Sequence, residues 1–341
     1  VAERPMYFNY QGMWTGGHDT IGATAPSTTW YFAEGYTGPG FDEWICVLNP
    51  GMAAADLTFS FQTQEEGEKV IAGFSVPARS RASFKANDLL GGSYQTSLKL
   101  DSDQPVVAER PMYFSYQGTS AWNWEGGHCV MGVPSLAREY YFAEGTTRTE
   151  FEEWITLQNP NDTPITVEAT YQLGPGQGEP VTKSYPIDTG RRFTIFVPSE
   201  VGTARDVSVH LNCDSDFLAE RPMYFDYQDG FPGGHCVIGT PCPSTEWLFA
   251  EGYTGDNNEF SEWLCLQNPG DTDAQVQITY YTQEAGILPP KELVLPAGTR
   301  MTISVDQQIG PDLQVSSLVS SYQPIVAERA MYFDYDGWRG G

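Results

Sequence analysis

Acidic side chains recur in one fixed context along the chain. The tetrapeptide Phe-Ala-Glu-Gly carries Glu34, Glu144 and Glu251, and further carboxylates follow closely after each. Two carboxyls with separated pKa values at one cleft are what glycoside hydrolysis requires. An enzyme rarely triplicates its active site in equal copies, whereas a structural repeat triplicates every residue. We therefore interpret these carboxylates as structural and predict that the protein is not an enzyme.

A Glu-Arg dipeptide recurs in the same way. Its arginines are Arg4, Arg110, Arg221 and Arg329. Neighbouring residues of a strand point to opposite faces, so the two charges of one dipeptide do not pair easily with each other. The functional interpretation is an ion pair between units, for instance with the glutamate of Phe-Ala-Glu-Gly. The alternatives are a solvated charge and a bridge within one unit.

Repeated histidines and aspartates are candidates for metal binding. His18, His128 and His235 each end a Gly-Gly-His segment. Because they lie a full unit apart, we expect a structural turn or cap and no shared metal site, unless the units pack unusually. Asp-Ser-Asp at Asp101 and Asp214, with the loop 256–259, supplies oxygen ligands for a structural calcium ion. The third unit replaces Asp-Ser-Asp by Ser-Ser-Tyr, which favours ordinary solvated turns, and no cofactor is predicted.

The cysteines are the candidates for covalent cross-links. There are six: Cys46, Cys129, Cys213, Cys236, Cys242 and Cys265. An even number permits disulfides and points to an oxidising, extracellular compartment. Cys46 with Cys129 would join strands of one unit, Cys236 with Cys265 would join two units, and Cys213 with Cys242 would form a bridge near a boundary. Buried free thiols are the alternative, and the sequence does not choose among the connectivities.

A tandem repeat positions all of these residues. Ala-Glu-Arg-Pro-Met-Tyr-Phe begins at residues 2, 108 and 219 and returns with one substitution at 327, so the period is about 109 residues. Pro-containing stretches after each Gly-Gly-His segment divide the chain. The predicted divisions are terminal strands of a preceding or shared repeat at 1–25, complete repeats at 26–133 and 134–241, and a third repeat at 242–341 that is incomplete at its C-terminal end.

Each unit has the alternation of half-buried strands. The segments 57–61, 167–171 and 276–280 occupy the same place in the three units and alternate apolar with polar residues. Asn-Pro, Pro-Gly and Gly-Gly punctuate further short apolar runs, which gives seven or eight short strands for each unit. This density predicts an all-β chain of tandem antiparallel β-sandwiches of immunoglobulin-like or related topology.

Composition excludes some partners. Lys and Arg number 18 against 44 Asp and Glu, so the net charge is -26, and such a chain repels the phosphates of nucleic acid. No apolar run approaches the roughly 20 residues that cross a bilayer. The chain starts without an initiator Met, and both of its ends fall inside a repeat. We expect either a window of a longer array or a subunit that shares strands with its neighbour.

Aromatic residues mark the variable segments before each Gly-Gly. They are Trp14, Trp122, Trp124, Phe231 and Trp338. Variable aromatic tips on a constant frame are where contacts with partners are found. They could contact glycan or a neighbouring subunit, and the alternative is packing over their own unit.

The motifs also carry a resemblance. Tyr-Phe-Ala-Glu-Gly, Glu-Glu-Trp-Ile-Thr-Leu-Gln-Asn-Pro-Asn-Asp and Ala-Glu-Arg-Pro-Met-Tyr-Phe, between residues 141 and 225, resemble an uncharacterised tandem repeat of secreted and cell-envelope proteins of actinobacteria and other bacteria. The resemblance covers essentially the whole chain. It implies a β-sandwich repeat and an exported surface location, and it brings no established activity.

These observations predict a structural repeat protein. We expect an extracellular or cell-surface chain whose units assemble into a rod, sheath or filament with copies of itself as partners. The alternative is a carbohydrate-binding or adhesive array whose aromatic tips meet cell-envelope glycan.

Overall fold

Three long strands organise the molecule. The computed structural model describes residues 1–118, 123–228, 230–255 and 259–341. It is built from strands with three short helices, so the all-β, antiparallel sandwich class is confirmed. A strand hairpin of β1 (Glu3–Tyr10) and β2 (Trp14–Ile21) precedes the first sandwich.

The first sandwich holds seven strands and one helix. They are β3 (Ser27–Phe32), β4 (Phe41–Asn49), β5 (Ala55–Thr63), β6 (Gly67–Val76), β7 (Ser80–Lys85), α1 (Ala86–Leu90), β8 (Thr96–Gln117) and β9 (Asn123–Met131). The N-terminal half of β8 lies between β3 and β5, and β6 pairs with β5. The C-terminal half of β8 lies between β4 and β9, and β7 pairs with β4. The two sheets therefore share one continuous strand.

The second and third sandwiches repeat this order. The second consists of β10 (Ala137–Phe142), β11 (Phe151–Asn159), β12 (Ile165–Leu173), β13 (Val181–Ile187), β14 (Arg191–Phe196), α2 (Val197–Val201), β15 (Val207–Tyr227) and β16 (Phe231–Ile238). The third consists of β17 (Ser244–Phe249), β18 (Tyr253–Thr254), β19 (Phe260–Gln267), β20 (Ala274–Thr282), β21 (Gly286–Ile287), β22 (Lys291–Leu295), β23 (Arg300–Ser304), α3 (Val305–Ile309), β24 (Leu313–Tyr335) and β25 (Trp338–Gly340).

The prediction of short strands is wrong at one place in each unit. The sequence predicts separate strands at 206–209 and 223–225, but from Val207 onward both runs lie in one strand, β15, which passes from one sheet of the sandwich to the other. Such a strand meets two sets of neighbours, and its inward face changes along its length. The alternation of apolar and polar residues therefore predicts two separate strands.

Each sandwich has its own apolar core between the sheets. In the first, Trp30, Phe59 and Leu100 come from the sheet of β3, β5 and β8, and Ile45 and Val47 from β4, all at most 2% exposed. At about 25 cal/mol for each Å² of apolar surface removed from water, such cores dominate the folding free energy.

One asparagine side chain fixes the turn after the Glu-Trp strand. Asn49 donates to the backbone carbonyls of Ala53, Val76 and Pro77, and Asn159 and Asn268 make the same kind of bonds in their sandwiches. The amide satisfies carbonyls that would otherwise be unpaired at the end of a strand. This explains the repeated Asn-Pro motif.

The C-terminal half of each long strand forms a hairpin with the strand that follows. With β1 and β2 there are four such hairpins, which we number in chain order: 3–21, 107–131, 218–238 and 326–340. In every one the Ala-Glu-Arg motif occupies one strand and the glycines that follow it occupy the other. Among the described helices none is long and apolar enough to span a membrane.

Candidate functional site

The four hairpins close into a ring, the hairpin ring, through one repeated ion pair. The arginine of each Glu-Arg dipeptide bonds the glutamate of the dipeptide in the next hairpin, and the last bonds the first. The pairs are Arg4–Glu109 at 3.1 Å, Arg110–Glu220 at 2.8 Å, Arg221–Glu328 at 2.8 Å and Arg329–Glu3 at 3.0 Å. Repetition of one head-to-tail contact that returns to its start is what defines a closed ring.

Tyrosine rings repeat the same closure. A tyrosine at the end of one hairpin strand packs on the tyrosine of Met-Tyr-Phe in the next hairpin. The pairs are Tyr10–Tyr113, Tyr116–Tyr224, Tyr227–Tyr332 and Tyr335–Tyr7, with ring centroids 3.9, 4.7, 4.0 and 4.5 Å apart. Each such pair contributes about 0.5–1.5 kcal/mol beyond the area that it buries.

Glycine is required where the hairpins meet at the ring axis. A Cβ added to Gly126 would lie 3.4 Å from the Cα of Gly233, and one added to Gly233 would lie 3.1 Å from the Cα of Gly340. Gly16 and Gly340 have equally close neighbours, Gly126 and Gly17. The Gly-Gly pairs of the repeat therefore allow backbone to approach backbone around the axis.

The ring ion pairs differ in burial. The side chains of Arg110 and Glu220 are both 0% exposed, whereas those of Arg4 and Glu109 are 49% and 21% exposed. Burial by itself lowers the pKa of Arg110, but the nearby Glu220, Cys236 and Glu43 outweigh it and raise that pKa. Arg110 also donates to the backbone carbonyl of Glu34.

The ion pairs between units thus have a partner that the sequence analysis did not name. The sequence pattern suggests the glutamate of Phe-Ala-Glu-Gly, whereas in the structure the partner is the glutamate of the neighbouring Glu-Arg dipeptide. The signal was present in the sequence, because every copy carries both charges. The sequence does not give the angle between units, and that angle decides that each arginine meets the glutamate of the next copy.

The first glutamate of Phe-Ala-Glu-Gly contacts the next sandwich. Glu34 accepts hydrogen bonds from Thr156 at 2.5 Å and from Arg192 at 3.1 Å, both in the second sandwich. This carboxylate therefore joins two units, although through a different arginine from the one that the sequence suggested.

The other two glutamates of this motif contact arginines of their own units. Glu144 accepts a hydrogen bond from Arg221 at 2.5 Å. Burial opposes the ionised form of Glu144, but His235 and Arg221 together lower its pKa to about 2. The backbone carbonyl of Glu251 accepts from Arg329.

The ring brings the three Gly-Gly-His histidines to one cavity of about 100 Å³ at the axis. Although they lie a full unit apart in the chain, they meet in space because the hairpins converge. Burial lowers the pKa of His18 to about 4, and it lowers that of His128 further. In the described chain no group of three or more His, Cys, Asp or Glu is arranged to hold a metal ion.

The calcium candidates lie apart from one another. Asp101 lies in β8, where Lys99 contacts it at 2.9 Å and Thr29 donates to it. Asp214 lies in β15, at the corresponding place of the second sandwich. Residues 256–258 of the third candidate lie outside the described residues.

All six cysteines are free thiols, so the predicted disulfides are not formed. Cys46 on β4 and Cys129 on β9 flank β8 on opposite sides, where their register partners are Glu109 and Pro111. Two strand spacings, about 9–10 Å, separate them. A disulfide needs Cα atoms within about 7 Å. Cys129 and Cys236 instead contact Arg4 and Arg110 at the ring.

The aromatic tips take different places. Trp124 is completely buried and packs against Tyr116 of its own hairpin and Tyr224 of the next, so it is an interface residue. Trp14 packs on Tyr10, and Arg339 lies over the ring of Phe231. Trp338 begins β25 and is half-buried. Trp122 lies outside the described residues.

Two cavities of the molecule are site candidates: the junction cavities, one between each pair of consecutive sandwiches. The first has a volume of about 860 Å³ and the second about 430 Å³. Equivalent residues line them: Glu34, Phe41, Tyr116, Trp154, Arg192 and Tyr224 in the first, and Glu144, Phe151, Tyr227, Trp263, Arg300 and Tyr332 in the second. Aromatic walls with a few convergent polar groups are typical of sites for small ligands.

Fold and site together define a class: a tandem β-sandwich repeat protein whose hairpins close around one axis. No family model matches the sequence, and no curated protein matches it. Among solved structures, the Anabaena sensory rhodopsin transducer is 30% identical over 26% of this chain and 96% of its own, with a TM-score of 0.24.

Two other solved structures are more distant. Thermotoga maritima 1070 is 13% identical over 31% of this chain and 95% of its own, with a TM-score of 0.28. The major pilin of Streptococcus pyogenes is 9% identical over 80% of this chain and 95% of its own, with a TM-score of 0.16.

Proposed function

We propose that this protein is a non-enzymatic structural protein of the bacterial cell surface, in which sandwich repeats are locked into a rigid ring. The closed cycle of four Arg–Glu pairs supports the structural role. The carboxylates that could have served a hydrolase, Glu34 and Glu144, are instead bonded to Arg192 and Arg221. The surface location is supported by the sequence resemblance.

The closed ring changes how a rod or filament would form. A head-to-tail contact that closes on itself gives a ring, and an open filament needs one that does not close. The first hairpin is already held by the second and the fourth, so strand donation to a neighbouring copy is not needed to satisfy it. Any rod would therefore grow by stacking of rings through another surface.

Two measurements test the structural proposal. Antibodies against the purified protein should label intact cells of the source organism, and negative-stain electron microscopy with sedimentation over a range of concentrations should show compact rings or stacks of rings. Labelling of lysed cells only would contradict the surface location. Sandwiches that move independently, as beads on a string, would contradict the structural role.

The first junction cavity favours carbohydrate binding as a second function. Tyr36, Tyr116 and Trp154 offer flat apolar faces, while Gln64 and Gln95 offer amide groups, in a volume that suits a short oligosaccharide. The guanidinium in the described lining, that of Arg192, is engaged by Glu34 and Gly35 and is not available to a phosphate or a carboxylate. An uncharged sugar fits this lining, at the junction and not at the hairpin tips.

Calorimetric titration with cellobiose and with N,N′-diacetylchitobiose tests this function. Binding of either disaccharide should be lost in Trp154→Ala and kept in Trp44→Ala. Trp44 has the matching position in the first sandwich and lines neither junction cavity. The absence of binding by both disaccharides, or equal binding by the two variants, would argue against carbohydrate recognition here.

A further inference from the structure

Among the described residues, each sandwich has one completely buried carboxyl group that takes no part in the ring ion pairs. These groups belong to Glu43, Glu153 and Glu262, which precede the tryptophan of the Glu-Trp motif and are all 0% exposed. Neither carboxyl oxygen of any of the three makes a hydrogen bond of ordinary geometry to the described residues. An ionised carboxylate is costly in such a place, whereas the neutral acid is tolerated.

The three carboxyls lie at the same point of the junction. A Cβ added to Gly35 would be 2.8 and 2.9 Å from the two carboxyl oxygens of Glu43. Gly145 and Glu153, like Gly252 and Glu262, are equally close. The carboxyl therefore packs directly beneath the Glu-Gly backbone of Phe-Ala-Glu-Gly.

That Glu-Gly backbone contacts the next unit at the first junction. Arg192 of the second sandwich donates to the carbonyl of Gly35 at 3.1 Å and to the carboxylate of Glu34 at 3.1 Å. In the second junction the backbone N–H of Glu144 donates to the carboxylate of Glu328 at 2.5 Å, and Arg300 donates to the carbonyl of the preceding Ala143 at 3.4 Å. A change of charge on the buried carboxyl acts on the segment that joins the repeats.

Most of the charges that face the buried carboxyls are already bonded elsewhere, and Arg300 donates to the hydroxyl of Ser208 and the carbonyl of Ala143. Glu43 faces Arg110, Arg192 and Glu34, and the backbone N–H of Tyr36 also favours its ionised form. Arg110 is bonded to Glu220, and Arg192 to Glu34. The corresponding groups are Arg221, Glu144, Arg300 and the Thr146 backbone around Glu153, and Arg329, Asp306, Glu251 and Glu3 around Glu262.

We propose that these three buried carboxyls form a proton-operated latch on the hairpin ring and its junctions. As neutral acids they let the Glu-Gly segments pack against the next unit. Loss of the proton places a buried charge beneath each segment, without hydrogen-bond partners of ordinary geometry among the described residues, and the junctions loosen.

The direction of the response follows from the burial of these groups. Burial raises the pKa of Glu43 to about 7 and the pKa values of Glu153 and Glu262 to about 8, from an ordinary value of 4.5. A raised folded-state pKa gives a stabilisation that is complete below the unfolded-state pKa and is lost as the pH rises through the folded-state pKa. The ring is therefore tight in mild acid and loosens between about pH 7 and 9.

The test follows the fluorescence of the junction tryptophans, together with the radius of gyration from small-angle X-ray scattering, from pH 6 to 9.5. The wild-type protein should change reversibly over this range. The triple variant Glu43→Gln, Glu153→Gln and Glu262→Gln, whose amides imitate the neutral acids, should keep the pH 6 state throughout. Glu168→Gln, an exposed position on β12, is the matched control and should behave as wild type.

Two outcomes overturn the latch. One is a pH response that persists in the triple Gln variant, and the other is a wild-type protein that does not change up to pH 9.5. If the triple variant fails to fold, the proposal is tested on the wild-type protein by the infrared carbonyl band of protonated carboxylic acids. That band should be present at pH 6 and disappear in step with the fluorescence change, and its absence at pH 6 would disprove the proposal.

Discussion

The same Glu-Arg motif forms two very different ion pairs in this molecule. Arg110 and Glu220 are completely buried between the first and second units, while Arg4 and Glu109 join the first hairpin to the second near the surface. The Glu-Gly segment at 34–35 lies over Arg110, whereas Arg4 has no such contact among the described residues. The comparison shows that the contribution of a repeated ion pair to stability depends on how deeply the pair is buried.

Removal of the buried arginine should have the largest effect. Arg110→Met leaves the Glu220 carboxylate buried without its partner, which should cost about 3–5 kcal/mol of unfolding free energy. Equilibrium denaturation in urea measures the loss. The double variant Arg110→Met, Glu220→Leu should recover most of it, because replacing a buried pair by apolar residues is often close to neutral. If Arg110→Met loses less than about 1 kcal/mol, burial does not determine how much this pair contributes to the free energy of unfolding.

Acid should weaken the second junction. Because the pKa of Glu144 is lowered from 4.5 to about 2, its carboxylate contributes stability above pH 4.5 that is lost as the pH falls toward 2. The shift corresponds to about 3 kcal/mol. Glu144→Gln should lower the melting temperature at pH 7. In melting curves recorded at a series of pH values, it should also reduce the acid limb, which is the fall of the melting temperature at low pH. The exposed Glu168→Gln should leave that limb unchanged, and an identical limb in both variants would rule out this origin.

Crowding at the axis should have an intermediate effect. In Gly126→Ala the new methyl group lies 3.2 Å from the Cζ of Phe114 and 3.4 Å from the Cα of Gly233, so the hairpins must move apart. We expect a loss of about 1–3 kcal/mol. Gly22→Ala serves as the control, because its Cβ meets no described atom within 4 Å. Equal stability of the two variants in thermal melts would mean that the ring axis tolerates side chains.

Removal of the exposed arginine should have the smallest effect. Arg4→Met breaks a pair of which one side chain is 49% exposed, so the cost should be below about 1 kcal/mol and should shrink further in high salt. Denaturation at low and high salt, beside Arg110→Met under the same conditions, completes the comparison. A loss as large as that of Arg110→Met would remove the distinction between the two pairs.

Much of the fold could be predicted because it is local. The segments 57–61, 167–171 and 276–280 alternate apolar and polar residues, and the structure has a strand at each. The long strands could not be predicted in this way, since β15 changes sheets midway and its two halves follow different patterns. The free thiols also depend on tertiary structure, because the strand between Cys46 and Cys129 is known only once pairing is known.

The repeat, its period and the alternation that makes each unit a sandwich follow from the amino-acid sequence alone, because these features depend on residues close together in the chain. Tertiary structure decided that the units close into a ring, that His18, His128 and His235 meet in one cavity, and that the carboxyls of the Glu-Trp motifs lie beneath the junction segments. The physical reason is that closure depends on the rotation from one unit to the next. That rotation is set by contacts between residues about a full repeat apart, which no local pattern records.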